Sequence, residues 1–205
     1  MRRALMLAPQ LGVLCSALLL AACTDTAESS SSRIEQESES KAASASTLDR
    51  TREKAEQGEA DAQFNLGLQY ANGEGVPQDK AEARQWYLKA AEQGYAKAQF
   101  NLGLLYAHGW GVSQDYGEAR TWYLKAAEQG YASAQLNLGV LYYNGQGGRQ
   151  DDKLAYAWFD VAAAQGDETA KQHRGVAAAE LDPASLAEAQ RLAEQYYRSY
   201  VEPFQ

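Results

Sequence analysis

The chain is short of the side chains that carry catalysis, metal binding and cross-linking. Its 205 residues include only 2 cysteines and 2 histidines. The histidines, His108 and His173, lie in unrelated contexts, without a second ligand at metal spacing and without an HExxH motif. The glycines near Gly145 lack the Lys-Ser/Thr ending of a phosphate loop, and no nucleophile stands beside a base. We therefore expect no enzyme activity, no cofactor, no metal site and no small-molecule substrate.

A cluster of basic residues is also missing. The chain has 19 Lys and Arg residues against 27 Asp and Glu residues, a formal net charge of -8. A phosphate backbone repels a chain of this sign, so we expect no nucleic-acid partner. An acidic surface would suit a basic protein, although acidic charge also serves solubility alone.

Long apolar runs are absent except near the start. Residues 11–22 form an apolar run after two arginines, too short to span a membrane and typical of a secretory signal. The sequence LAAC at residues 20–23 resembles the lipobox of bacterial lipoproteins. This resemblance implies that residues 1–22 are a removed signal peptide and that Cys23 is acylated, which would attach the protein to a membrane. The alternative is an ordinary signal peptide followed by a stray cysteine.

Residues 23–47 are rich in Ser, Glu and Ala, with Ile34 as the one large apolar side chain. Such a segment cannot bury enough apolar surface to offset its ordering entropy, so we predict a flexible tether. By resemblance to enterobacterial sorting, Thr24 after the acylated residue favours the outer membrane over the inner. The expected location is the cell envelope, facing the periplasm.

The body of the chain is a repeat. Residues 60–95 recur at 96–131 with 28 of 36 positions identical, and again at 132–167 with 18 of 36 identical to the second copy. A fixed period of this length is typical of a solenoid, whose units bury their apolar faces only by stacking on each other. Residues 48–59 align with the second half of a unit and are expected to form an amino-terminal capping helix.

Each unit is predicted to contain two helices. In the first copy, one helix runs from Ala60 to about Ala71 and the other ends near Gln93, before Gly94. Asp79 with Glu82 has the form of a capping box at the start of the second helix. Glycines recur inside the first helices, where they cost up to about 1 kcal/mol against alanine. These are Gly67, Gly103 and Gly139. We expect the partner helix to approach there so closely that no Cβ fits.

The motifs AQFNLGLQYANGEGV and WYLKAAEQG resemble the Sel1-like repeat, a relative of the tetratricopeptide repeat. The resemblance implies an all-α, right-handed α-solenoid that serves as an adaptor or scaffold, with catalysis exceptional. The third copy departs from the pattern at Gly148, at Leu154 and at Asp160-Val161. These changes fall on its loop and on the cap of its second helix, so the pattern does not determine the geometry of either.

Residues 168–205 are expected to close the array as carboxy-terminal capping helices. Gln172, His173 and Arg174 replace the apolar FNL of earlier units, which makes the outer surface polar. Asp182-Pro183 supplies an N-cap and a first helical residue. The last helix is expected to pack on the end of the solenoid. The alternative is an exposed aromatic patch of Tyr196, Tyr197, Tyr200 and Phe204.

One stripe of the first helices is the candidate protein-binding surface, on the expected concave side. Its members are Asp61, Asn65, Leu68, Asn72, Lys97, Asn101, Leu104, His108, Ser133, Asn137, Val140 and Asn144. The repeated asparagines either offer amides to a peptide backbone or hydrogen-bond between neighbouring repeats, and the sequence leaves both open. Trp110 is an unusual aromatic residue in a turn and a candidate hot spot.

These features predict a lipid-anchored module that binds a protein in the cell envelope. The first hypothesis is an adaptor or scaffold within an envelope complex. The second is a periplasmic immunity protein, because similar repeat lipoproteins neutralise secreted antibacterial effectors and an acidic groove would suit a basic toxin. A less favoured hypothesis is an envelope hydrolase or penicillin-interacting protein, whose paired cysteines and SxxK motif this chain lacks.

Overall fold

The computed structural model describes residues 47–204. All of these except Thr47 belong to a compact unit that begins at Leu48. The predicted signal peptide, Cys23 and the tether up to residue 46 lie outside the described residues. Among the helices in the described range, none is long and apolar enough to cross a membrane.

Over residues 47–204 the structure is helical throughout, without a strand. The helices are α1 (residues 47–56), α2 (Ala60–Asn72), α3 (Lys80–Glu92), α4 (Ala96–His108), α5 (Tyr116–Ala127), α6 (Ala132–Asn144), α7 (Asp152–Ala164), α8 (Glu168–Glu180) and α9 (Pro183–Tyr200), followed by a 3₁₀ turn (Glu202–Phe204). From α2 to α8, each helix packs on the next in the chain. The predicted all-α solenoid is confirmed.

The second helices begin at aspartate caps, as predicted, but without the full capping box. Asp79 Oδ1 accepts hydrogen bonds from the backbone N–H groups of Ala81 and Glu82 at 2.9 and 3.0 Å. The reciprocal half is wrong, because the Asp79 N–H donates to the Tyr70 carbonyl at 2.8 Å, while the Glu82 carboxylate accepts from the indole N–H of Trp86 at 3.0 Å. The aspartate therefore does the capping alone.

The cap of the third copy survives the loss of the box glutamate. Asp151 Oδ1 accepts from the backbone N–H groups of Lys153 and Leu154 at 3.1 and 3.0 Å. A leucine at the third position costs nothing here, because the cap uses its backbone N–H and not its side chain.

The mid-helix glycines lie where an aromatic ring crosses the helix. A Cβ added to Gly67 or Gly103 would lie 2.6 Å or 2.4 Å from the ring of Tyr87 or Tyr123, respectively. In the third repeat, a Cβ on Gly139 would lie 2.6 Å from the Phe159 ring. The predicted close approach is confirmed, and the buried ring compensates for the low helix propensity of glycine.

A glutamine in each first helix joins three successive helices, a feature that we did not predict. In the third repeat, Gln135 Nε2 on α6 donates to the backbone carbonyl of Ala127 at the end of α5, at 3.1 Å. Its Oε1 accepts from Gln165, which follows α7. Gln63 with Gln93 and Gln99 with Gln129 repeat the pattern. Buried amides thus fix the stacking of neighbouring units.

The carboxy-terminal helices pack on the last repeat, as we expected of the last helix. The helix α8 has the register of a first helix, but α9 packs on α7. Tyr196 and Tyr200 of α9 stack on Trp158 with ring centroids 4.5 and 5.9 Å apart. The aromatic-patch alternative is therefore wrong for these two tyrosines, whereas Phe204 is 62% exposed.

This packing explains one departure of the third copy. Lys89 and Lys125 lie over the tryptophans of the first two repeats, with Nζ 3.8 and 4.0 Å from the ring centroids. The third repeat has Val161 at the same position, buried in a cluster with Ala193 of α9. The preceding Asp160 accepts a 2.7 Å hydrogen bond from Arg174 of α8. Both substitutions therefore fit the capping helices and not a further repeat.

Candidate protein-binding face

The predicted stripe lies on the first helices and divides into two ends. Asp61, Lys97 and Ser133 are exposed in the first turns of α2, α4 and α6. Asn72, His108 and Asn144 are exposed at the last residues of the same helices, and we call this end the loop edge. The two ends differ by eleven in residue number, which corresponds to about 16 Å of helix, so one side chain of a partner cannot contact both.

The asparagines in the middle of the stripe differ in their environments. Asn65 is exposed, whereas Asn101 and Asn137 are half-buried. Burial raises the pKa of Tyr87 to about 12, and a hydrogen bond from Asn101 opposes that rise. Asn137 makes the same bond to Tyr123, whose pKa burial also raises to about 12. The inter-repeat alternative thus describes Asn101 and Asn137.

The half-buried apolar members of the stripe contribute to packing. Leu68 and Leu104 each pack against a cluster of buried core residues. Val140, their counterpart in the third repeat, also packs against a core cluster, and in addition it lines two surface depressions.

The first depression, which we call the Tyr123 pocket, lies between α4 and α6 with a volume of about 260 Å³. The residues that line it include His108, Tyr116, Tyr123, Asn137, Val140 and Gln146. The structure thus brings together three predicted residues from two different repeats. Sequence reasoning missed Tyr116, the first residue of α5, and Gln146, in the loop after α6. Neither residue shares the helical spacing of the stripe.

The second depression, the Phe159 pocket, lies between α6 and α8 with a volume of about 230 Å³. It is lined by Val140, Tyr143, Asn144, Phe159, His173 and Val176. His173, which we expected to serve only the polar cap, meets the Phe159 ring edge-on with centroids 5.3 Å apart. It occupies the register of Asn137, a correspondence visible in the sequence once α8 is aligned with the repeats.

Trp110 stands at the loop edge as the sequence predicted. Its side chain is 47% exposed, and its ring stacks on His108 at a centroid distance of 4.4 Å. The Lys80 ammonium, at the start of α3, lies 5.6 Å from the indole ring. At the equivalent corner of the first repeat, Asn72 donates a 2.8 Å hydrogen bond to Glu74. The loop edge therefore changes chemistry from repeat to repeat.

This face carries few groups for chemical catalysis. Over residues 47–204, no three His, Cys, Asp or Glu side chains gather where they could hold a metal ion. The two pockets hold one histidine each, and the rest of their lining is amide, phenol and hydrocarbon. Such an arrangement is suited to binding side chains of another molecule.

Comparison with known proteins agrees with this geometry. A profile described as Sel1 repeat matches residues 60–95, 96–131 and 132–167, together more than half of the chain. The protein belongs to the Sel1 repeat family. Sel1 repeats generally mediate protein–protein interaction and are typically non-catalytic.

Two solved structures resemble the protein. A Sel1 repeat protein from Oxalobacter formigenes is 40% identical with a TM-score of 0.59, covering 68% of this chain and 59% of its own. The protein c5321, described as a protective antigen of uropathogenic Escherichia coli strains with an SLR fold, is 33% identical with a TM-score of 0.52. That match covers 77% of this chain and 42% of the other, so the chain spans less than two thirds of either relative. No curated protein matches the chain.

Proposed function

We propose that the protein is a lipid-anchored adaptor of the bacterial cell envelope that holds a protein partner on its first-helix face. The observation that carries this proposal is the pair of pockets at the loop edge. They lie one repeat apart, and each is built by the first helices of two neighbouring units. A row of equivalent pockets suits an extended segment of a partner better than an isolated small molecule.

The location is proposed from the sequence around Cys23. The apolar run before it and the LAAC motif support acylation and a periplasm-facing body on a tether, with Thr24 favouring the outer membrane. Expression of the full chain with a labelled fatty acid, beside a Cys23→Ala variant, tests this. We expect label and membrane fractionation for the unmodified chain alone, and label in the Cys23→Ala protein would contradict the assignment.

The binding face is tested with Val140, because this residue lines both pockets. Val140→Glu places a charge in both pockets and should abolish capture of envelope proteins by the full chain. Gln85→Glu adds the same charge at an exposed position of α3, away from the first helices, and should leave capture intact. Circular dichroism establishes that both variants are folded. Equal capture by Val140→Glu and the unmodified protein would place the binding surface elsewhere.

A second candidate function is immunity against a secreted antibacterial effector. The net charge of -8 supports it, because an acidic protein associates readily with a basic toxin. Genes that encode a toxic effector beside this one, and protection of a host that produces both proteins in the periplasm, would favour immunity. Capture of stable envelope components without protection would favour the adaptor.

A further inference from the structure

Three corners of the loop edge are equivalent by the 36-residue repeat but differ in chemistry. The first, which we call the Trp110 corner, consists of Lys80 and Trp110. One repeat later their counterparts are Tyr116 and Gln146, which line the Tyr123 pocket. One repeat further lies the Phe159 pocket, in which Phe159, His173 and Val176 are the counterparts of Tyr123, Asn137 and Val140 in the Tyr123 pocket. The protein thus presents three different contact sites in one row.

The Trp110 corner is suited to an acidic side chain. The Lys80 ammonium lies beside the half-exposed indole ring, and the His108 imidazole stacks against the same ring. The counterparts of Lys80 in the next two repeats are Tyr116 and Asp152. Only the first corner therefore presents an ammonium at this register, and a carboxylate binds there in preference to the other two.

The other two sites favour different side chains. The Tyr123 pocket presents the side chains of Gln146 and His108, which donate and accept hydrogen bonds and suit a small polar group. The Phe159 pocket presents the hydrocarbon of Val140, Val176 and Phe159. Its volume of about 230 Å³ admits a leucine, isoleucine or methionine side chain. Val176 is 51% exposed in the free protein, and a side chain that fills this pocket removes it from water.

We infer the spacing of the sites from that of the first helices that build them, since each site lies one repeat further along the row. Cα atoms of α6 and α8 approach within 8 Å, so these helices are neighbours, and the axes of packed helices lie about 8 to 10 Å apart. A polyproline II segment rises about 3.1 Å per residue with three residues per turn, so it places every third side chain on one side at a repeat of about 9.3 Å. In a β-strand, side chains on one side repeat at about 6.6 Å, which is too short.

We propose that the loop edge binds a polyproline II segment of its partner that carries an acidic, a polar and a large apolar side chain, each three residues apart. The acidic side chain lies at the Trp110 corner, the polar one in the Tyr123 pocket and the apolar one in the Phe159 pocket. This proposal rests on the proposed function and adds the chemistry of the partner.

Synthetic peptides test the pattern directly. The probes are DPPSPPL and its reverse LPPSPPD, with capped ends, and their affinity for the full chain is measured by calorimetry. We expect one chain direction to bind, and a loss of roughly tenfold or more when Lys replaces Asp or Ala replaces Leu. Peptides with the three side chains two or four residues apart should bind more weakly by a similar factor. The proposal would be overturned if a peptide with a two- or four-residue spacing bound as tightly as the peptide with the three-residue spacing.

Protein variants identify which site contacts which side chain. Lys80→Glu should reverse the preference from Asp to Lys in the peptide, whereas Arg191→Glu, the same change of charge at an exposed position of α9, should not change it. Val176→Asp alters an exposed position of the Phe159 pocket and should remove the advantage of Leu over Ala. If Arg191→Glu has the effect expected of Lys80→Glu, the assignment of sites is wrong.

A selection separates failure of this proposal from failure of the proposed function. A random dodecapeptide phage library is selected on the full chain and counter-selected on Val140→Glu. Enriched peptides with the acidic, polar and apolar pattern support both proposals. Enriched peptides without the pattern overturn the present inference and leave the binding face in place. If no peptide is enriched and no protein capture depends on Val140, both proposals fail.

Discussion

Gln165 Nε2 donates a 2.6 Å hydrogen bond to Gln135 Oε1, and the Gln135 side chain is fully buried. Gln135 Nε2 in turn donates to the backbone carbonyl of Ala127, so the Gln135 amide holds α5, α6 and the end of α7 in register. Its counterparts Gln63 and Gln99 do the same in the other repeats. These links belong to the scaffold that positions the pockets.

The first prediction concerns this amide. Gln135→Met keeps most of the side-chain volume but leaves the Ala127 carbonyl without its partner, so it should lower the free energy of unfolding by about 1 to 3 kcal/mol. Urea denaturation measures the loss. Gln190→Met, at an exposed position of α9, is the matched control and should change stability by less than about 0.5 kcal/mol. Equal stability of both variants would show that the amide link contributes nothing.

The second prediction concerns two glycines in the same register with opposite expected effects. A Cβ on Gly103 would lie 2.4 Å from the Tyr123 ring, whereas a Cβ on Gly175 of α8 meets no atom within 4 Å. Gly103→Ala should therefore destabilise the protein by about 1 to 3 kcal/mol through overpacking. Gly175→Ala should stabilise it by up to about 1 kcal/mol through helix propensity. Thermal and urea unfolding measure the change in stability of both variants. A change of the same sign in both would contradict the close-approach explanation.

The third prediction concerns alkaline pH. Burial raises the pKa of Tyr87 and Tyr123 from 10.0 to about 12, so between these values the unfolded chain loses protons that the folded protein keeps. Stability should be fully present below pH 10 and should fall as the pH rises toward 12, on the order of 2 to 3 kcal/mol for each tyrosine.

The check is urea denaturation at successive pH values. A variant with Tyr87→Phe and Tyr123→Phe should show a shallower fall over this window than the unmodified protein. Parallel pH curves for the two proteins would rule out these tyrosines as the cause.

The fourth prediction concerns the last helix. Tyr196→Ala removes the ring that stacks on Trp158 at 4.5 Å and should destabilise the protein by about 2 kcal/mol, because this ring is half-buried. The red shift of tryptophan fluorescence reports whether Trp158 becomes exposed to water. Gln195→Ala, at the exposed neighbouring position, should leave both the stability and the fluorescence unchanged.

The sequence was sufficient for the features that depend on local contacts and on the repeat. Asp79 caps α3 through N–H groups two and three residues away, so the cap is visible in the sequence. The close approach at Gly67 followed from its recurrence in three first helices, where glycine needs a compensating contact. The Glu82 half of the capping box failed because the Asp79 N–H donates to the carbonyl of Tyr70, a contact with the preceding helix.

The candidate site was predictable only in part. Helical spacing placed His108, Val140 and Asn144 on one face, and the structure shows them at the rims of the two pockets. The same spacing could not show that Asn101 hydrogen-bonds Tyr87, because that contact depends on how the next repeat stacks. The alignment of α8 with the repeats places His173 in the register of Asn137, but it could not show that His173 meets the Phe159 ring.

The sequence by itself therefore determined the repeat period, the helix pairs, their caps and the family, because these depend on residues within one turn or one unit of each other. The tertiary structure decided which side chains meet across units: the glutamine links over 30 residues, the pocket linings, and the position of α9 on Trp158. Helix crossing and stacking set those contacts, and many residues of different units determine the crossing together.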